Sequence, residues 1–200
     1  MGIPLVIGVH IGQGQNPTAL AEVYHSGWSY TILRLTRLPL GTLYTEVEEF
    51  LIERLKILTR DGDYDVKLKV NATGVGSPVI NLLRRKVSGL TEVYLTGGCK
   101  AEEKEDGLML PKDLMISHLK VLFQTNRISG SFDKPEPHMT APEKQRFALF
   151  MALKSEILDY ETEVQVDVVH WNPKNKTGEH DDLVIALGLA CWPLSKEAQK

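Results

Sequence analysis

Leu5-Val6-Ile7-Gly8-Val9, ending at His10 and followed by Gly12-Gln13-Gly14-Gln15-Asn16-Pro17, sets how the rest of the chain is read. The run is apolar, rich in β-branched residues, too short for a helix, and closed by Gly and Pro. That combination predicts a strand buried on both faces. Working outward, Ala19 to Tyr24 and Tyr30 to Leu35 read as two further strands, and Ser26-Gly27 between them predicts a hairpin or meander.

Beyond these strands the apolar period changes from two to helical. A helix opens at Thr42 with Val47, Phe50, Leu51, Leu55 and Leu58 on one side, and Asp61-Gly62-Asp63 ends it. Val66 to Val70 is a strand carrying Lys67 and Lys69. It runs into Asn71-Ala72-Thr73-Gly74-Val75-Gly76, and Ser77-Pro78 starts a helix with Val79, Leu82, Leu83 and Val87 as its apolar face. Glu92 to Thr96 reads as a strand, Cys99 to Gly107 as a charged loop, and Pro111 to Gln124 as a helix with Leu114, Leu119, Leu122 and Phe123 inward. Arg127 to Phe132 is ambiguous and Asp133 to Pro137 is a turn-rich break. Pro142 to Leu158 reads as a helix, Thr162 to Trp171 as a strand, Asn172 to Gly178 as a polar turn, and Asp181 to Trp192 as a helix. Short links between the first strands suit antiparallel pairing, and helical links between the later ones suit parallel pairing. The expected architecture is therefore α/β, a mixed sheet of about five strands with helices on both faces, residues 1–200 forming a single domain.

Composition narrows the function classes. With 42% hydrophobic and 24% charged residues the chain has material for a globular core, and a net charge of −3 excludes coating by nucleic acid through bulk charge, though a local basic patch remains open. Cys99 and Cys191 form neither a C-x-x-C pair nor a disulfide framework, which fits a reducing compartment. Met1-Gly2-Ile3-Pro4 lacks a basic leader region, and no apolar run reaches membrane-spanning length. A cytoplasmic, soluble protein without membrane contact is expected.

Three loci carry candidate chemistry. His10 ends the first strand, Asn71 ends the fourth, and Gly178-Glu179-His180-Asp181-Asp182 opens the last helix. The segments IGVHIGQGQNPTAL from Ile7, NATGVGSPVINLLRR from Asn71 and GEHDDLVIALGLACW from Gly178 resemble, in order and spacing, the first strand, the fourth strand with its helix, and the C-terminal acidic helix of phage-type large-terminase nuclease domains. The resemblance covers essentially the whole chain. It implies a ribonuclease-H-like fold with the first and fourth strands adjacent, and a divalent-metal-dependent endonuclease that cuts concatemeric viral or prophage DNA in the bacterial host during packaging. It further implies double-stranded DNA as substrate, with a packaging ATPase, a small terminase subunit and a portal as partners. Two dications held by carboxylates activate water and stabilise the leaving oxygen of a phosphodiester, and magnesium takes hard anionic oxygens.

In that family's pattern positions 10 and 71 are aspartates. Here they are His10 and Asn71, so of the expected metal ligands only Asp182, with Asp181 in support, keeps its acid. Asparagine offers a neutral oxygen, and histidine suits transition metals better than magnesium. Two readings follow. In the first, the fold persists with nuclease activity weak or lost, leaving a DNA- or partner-binding packaging component. In the second, His10, Asp181, Asp182 and His180 hold a transition metal. Acids at a helix start are also favoured by capping and by the helix dipole, a purely structural explanation of Asp181 and Asp182.

The remaining motifs are weaker. Gly12-Gln13-Gly14 lacks the third glycine and the following helix of a dinucleotide site. Its position after the first strand also suits the phosphate hairpin of actin-like ATPases and sugar kinases, which are built from two such domains. No G-x-x-x-x-G-K-[ST] motif occurs in these 200 residues, so the packaging ATPase is not among them. Gly74 and Gly76 fit either a phosphate approach or a tight strand-to-helix turn, the turn being preferred. Lys174 and Lys176, next to the acidic helix, lead the DNA-backbone candidates, followed by Lys100 and Lys104 and by Arg84, Arg85 and Lys86. His25, His118, His138 and His170 show no ligand spacing, and Trp28, Trp171 and Trp192 are read as packing residues.

Overall fold

The computed structural model describes residues 2–105, 107–130, 140–162 and 180–193, the last four of the third segment without side-chain detail. In chain order the elements are β1 (Ile3–His10), β2 (Ala19–Ser26), β3 (Ser29–Arg37), α1 (Tyr44–Thr59), β4 (Tyr64–Asn71), α2 (Gly76–Leu83), β5 (Leu90–Thr96), β6 (Glu102–Lys104), β7 (Gly107–Pro111), α3 (Lys112–Gln124), β8 (Ile128–Gly130), α4 (Ala141–Thr162) and α5 (Asp182–Cys191). The described strands make one sheet in the order β6-β7-β5-β4-β1-β2-β3-β8.

The expected mixed sheet is present. β1 pairs antiparallel with β2 and parallel with β4, so the first and fourth strands are adjacent. β4, β5 and β7 continue the parallel part. The sheet is wider than the five strands read from periodicity, because short strands extend both edges. Cys99 to Gly107 is not simply a loop: Glu102-Glu103-Lys104 pairs antiparallel with β7. Three exposed charged residues carry no strand signal of their own, and their pairing is supplied by β7, whose Leu108 and Leu110 are buried. At the opposite edge Ile128–Gly130 lies parallel to β3.

β1 is buried on both faces as its composition demands, and side-chain alternation divides its duties. Ile7 and Val9 join Leu20, Leu68 and Val70 under α1 and α2, where Val47, Leu51, Val79, Ile80 and Leu83 complete one core. Val6 faces the other way with Ala19, Ala21 and Val23, under α3, α4 and α5. Gly8 lies on that second face, and a Cβ there would stand 2.0 Å from the Ala186 carbonyl oxygen and 2.6 Å from the Ala190 nitrogen. The glycine is what lets α5 rest its backbone directly on β1.

Every residue of α5 is buried, and a helix apolar on all sides belongs in an interior. Burying Leu183, Val184, Ile185, Leu187 and Leu189 supplies roughly 10 kcal/mol of transfer free energy. The far end of the helix meets Lys69 of β4, itself 1% exposed, whose Nζ donates to the Trp192 carbonyl at 2.5 Å. A cation at a helix C-terminus is favoured by the dipole, and this one sits at the C-cap of α5.

Three expectations about individual residues are corrected. Leu114 and Leu82 are substantially exposed, because the inward stripe of α3 is Met115, Ile116, Leu119 and Leu122 and that of α2 is Val79, Ile80 and Leu83. Trp28 is 80% exposed at the β2–β3 turn, with the Arg127 guanidinium 5.2 Å from its ring centroid, and so is not a core residue. Trp192 does pack against the core, edge-on to His118. The strand expected over 162–171 (beyond Thr162), the break at 133–137 and the turn at 172–178 with Lys174 and Lys176 lie outside the described residues, as do His138, His170 and Trp171. Among the described residues no helix is long and apolar enough to cross a membrane.

Candidate functional site

The register of β1 against β4 pairs Val9 with Val70, so the next residues, His10 and Asn71, end adjacent parallel strands. Both share the sheet face on which α5 lies, by period-two alternation from Gly8 and Lys69. Asn71 is buried and its amide is fully oriented. Thr73 N–H donates to Asn71 Oδ1 at 3.0 Å, which turns the amide nitrogen toward His10 Nδ1, also at 3.0 Å. An amide nitrogen only donates, so Nδ1 must be the unprotonated ring nitrogen. Burial agrees, since it lowers the His10 pKa from its usual value. Asp181, and after it Asp182, act in the opposite sense, and Lys112 adds to the lowering.

The two acids at the head of α5 face different partners. Asp181 is the N-cap residue, yet its side chain caps nothing. Its carboxylate accepts from Lys112 Nζ at 2.8 Å, and both side chains remain about a quarter exposed. Asp182, 1% exposed, accepts two parallel hydrogen bonds from Arg37 at the end of β3: Nε to Oδ2 at 2.7 Å and Nη2 to Oδ1 at 2.9 Å. The same Nη2 also donates to Glu156 of α4, whose other oxygen accepts from Val184 N–H at 2.8 Å. Burial pushes the Glu156 carboxyl up to about 8; the Val184 bond and Arg37 oppose the rise while Asp182 and Asp181 add to it.

Thus the fold ends His10 and Asn71 side by side on the β1–β4 seam, with Asp181 and Asp182 both acting electrostatically on His10, and engages Asp182 with Arg37 and Glu156. Arg37, Lys112 and Glu156 were not singled out from sequence. The only available hint was Glu156 itself, which falls on the Leu149–Leu153 stripe of α4 at positions i, i+4 and i+7. His180 is partly buried and adjoins the pair. Among the described residues, no group of three or more His, Cys, Asp or Glu side chains is arranged to hold a metal ion.

The arrangement is a poor fit for two magnesium ions. The Asn71 amide is committed at both ends, each aspartate already has a basic partner, and a dication would enter beside an ammonium and a guanidinium.

Within the glycine-rich segments, Gly76 and Gly12 have packing reasons to be glycine. A Cβ on Gly76 would come 1.8 Å from the Asn71 carbonyl oxygen, so this glycine allows α2 to start against the end of β4. Gly12 N–H donates to Thr18 Oγ1, and a Cβ there would stand 2.1 Å from the Asn16 carbonyl oxygen. Of the basic candidates, Arg84 makes a double hydrogen bond to Glu92 and holds that carboxyl below its usual pKa. Lys86 pairs with Glu48, Lys104 lies loosely against Glu102 at 3.9 Å, and Lys100 and Arg85 are exposed.

No family model and no curated protein matches the sequence. Solved structures do match the fold. The human cytomegalovirus terminase nuclease domain is 15% identical, with a TM-score of 0.59 over 99% of this chain and 86% of that one. Its manganese-soaked form is 14% identical, with a TM-score of 0.55 over 92% and 80%. The large terminase nuclease from thermophilic phage G20c is 19% identical, with a TM-score of 0.55 over 94% and 81%. The chain therefore has the fold of terminase nuclease domains, the ribonuclease-H-like architecture that the three sequence segments implied.

Proposed function

We propose that this chain is a terminase-nuclease-type domain of a viral or prophage DNA-packaging machine in which metal-dependent phosphodiester cleavage is weak or lost. Its remaining role is to bind double-stranded DNA or a packaging partner, the ATPase, the small terminase subunit or the portal. One observation carries the reading. At the ends of β1 and β4, within a terminase-nuclease fold, Asn71 and His10 are hydrogen-bonded to each other, and Asn71 is held from its other side by Thr73 N–H. A neutral amide and a neutral imidazole supply none of the anionic oxygen that two dications require.

Within this reading the acid most suited to a metal beside His10 and Asn71 is Asp181 rather than Asp182. It acts on His10 the more strongly, and its carboxylate is partly exposed where that of Asp182 is closed off. Asp182 is assigned to the support of α5.

The test is plasmid cleavage by the purified chain with magnesium or manganese, alongside salt-dependent DNA binding. Little or no cleavage is expected from the native chain, with cleavage appearing or rising sharply in the His10→Asp/Asn71→Asp variant. Robust cleavage by the native chain, abolished by Asp181→Ala or Asp182→Ala, would overturn the proposal. DNA binding, if present, weakens steeply as salt rises, because phosphate contacts release counterions.

A further inference from the structure

Arg37 closes a gap between three elements that are far apart in the chain. From the last position of β3 it reaches Asp182 on α5, 145 residues away, and Glu156 on α4, 119 residues away. The two acid side chains are 2% and 6% exposed, and the guanidinium meets three of their four oxygens. The fourth, Glu156 Oε2, accepts from Val184 N–H in the first turn of α5, where the helix dipole is positive.

Two acids this buried and this close repel one another once ionised and lose hydration, so both are anions only around a positive charge and, with the Glu156 carboxyl pushed up to about 8, only in alkaline solution. Oxygens of two acids converging on one point are also what a hard divalent ion selects. Arginine can fill that point permanently, being charged at every relevant pH and matching a carboxylate with its planar fork.

We propose that Arg37 is a resident counter-cation. Its guanidinium occupies, between Asp182 and Glu156, a position that a hard divalent ion would take if the arginine were absent, and in doing so it fastens α4 and α5 to β3. Arg37 is a positioning residue. The role needs neither cleavage nor DNA, so it stands or falls apart from the proposed function.

Thermal unfolding of the full chain and of Arg37→Gln at about pH 9, where Glu156 is ionised, with calcium chloride or with sodium chloride at equal ionic strength, tests the proposal. Arg37→Gln should melt roughly 10 °C below the native chain in sodium chloride, the scale expected for stranding buried acids. Calcium at about 10 mM should restore about half of that loss if it binds only the folded state with a Kd of roughly 0.3 mM. The native chain should not respond. Arg37→Gln/Asp182→Asn/Glu156→Gln, which removes the anions as well, should regain stability without calcium and ignore it.

A folded Arg37→Gln that melts identically in the two salts would overturn the proposal, as would an equal calcium response in the native or triple variant. If Arg37→Gln does not fold in sodium chloride, circular dichroism in calcium decides. Recovery of the folded spectrum supports the counter-cation, and failure to recover it refutes it.

Discussion

Asp181 and Asp182 are consecutive residues at the start of one helix, and the fold uses them in opposite ways. Asp181 acts electrostatically on His10, as Asp182 does to a lesser degree, and meets a lysine from a side where both remain partly exposed. Asp182 turns into the protein, is closed off, and is gripped by a guanidinium that also holds Glu156. A helix turns about 100° per residue, so neighbours at its start separate onto different surfaces. The difference teaches that two adjacent acids need not form one metal site. Here one is partly exposed beside a lysine, and the other is buried in the packing of the helix that carries both.

Both roles depend on where α5 lies, so the largest expected effect comes from moving it. Gly8→Val would drive a side chain into Ala186 and Ala190, and should cost more than about 4 kcal/mol or prevent folding, as seen in urea unfolding. A native-like midpoint would mean that α5 is not seated on β1.

The second way to break the comparison is to remove each cation in turn. Arg37→Met should cost about 3–5 kcal/mol because it strands buried charge. Lys112→Met should cost less than that, about 1 kcal/mol, because the acid it leaves behind is partly solvated. Equal losses would erase the distinction between the two acids.

A smaller, pH-dependent effect sharpens it. The value of about 8 for Glu156 lies above the ordinary 4.5, so the folded protein binds this proton more tightly than the unfolded chain does. That contribution is full below about 4.5 and is lost as pH rises through about 8. Urea midpoints of the native chain should therefore fall relative to those of Glu156→Gln across that window. Parallel pH profiles would show that Glu156 does not titrate from the pocket beside Asp182.

Much of this was legible from residue pattern. The apolar run Leu5 to Val9 announced a doubly covered strand, and the helical links announced parallel neighbours, because period and link length are local properties. His10, Asn71 and the Asp181-Asp182 pair were found as strand-end and helix-start residues. Arg37, Lys112 and Glu156 were not, since their meaning lies in ion pairs between elements distant in the chain, and a lone Arg ending a strand looks like any solvated one. The edge strand Glu102–Lys104 escaped for the same reason, its order being imposed by β7 rather than by its own side chains.

The most direct measurement is calorimetric titration of manganese into the native chain, into His10→Asp/Asn71→Asp, and into that double variant carrying either Asp181→Asn or Asp182→Asn. No binding is expected in the native chain, while the double variant should bind, lose that binding with Asp181→Asn and keep most of it with Asp182→Asn. Manganese binding by the native chain, or binding by the double variant that vanishes with Asp182→Asn and survives Asp181→Asn, would contradict the division of labour between the two acids.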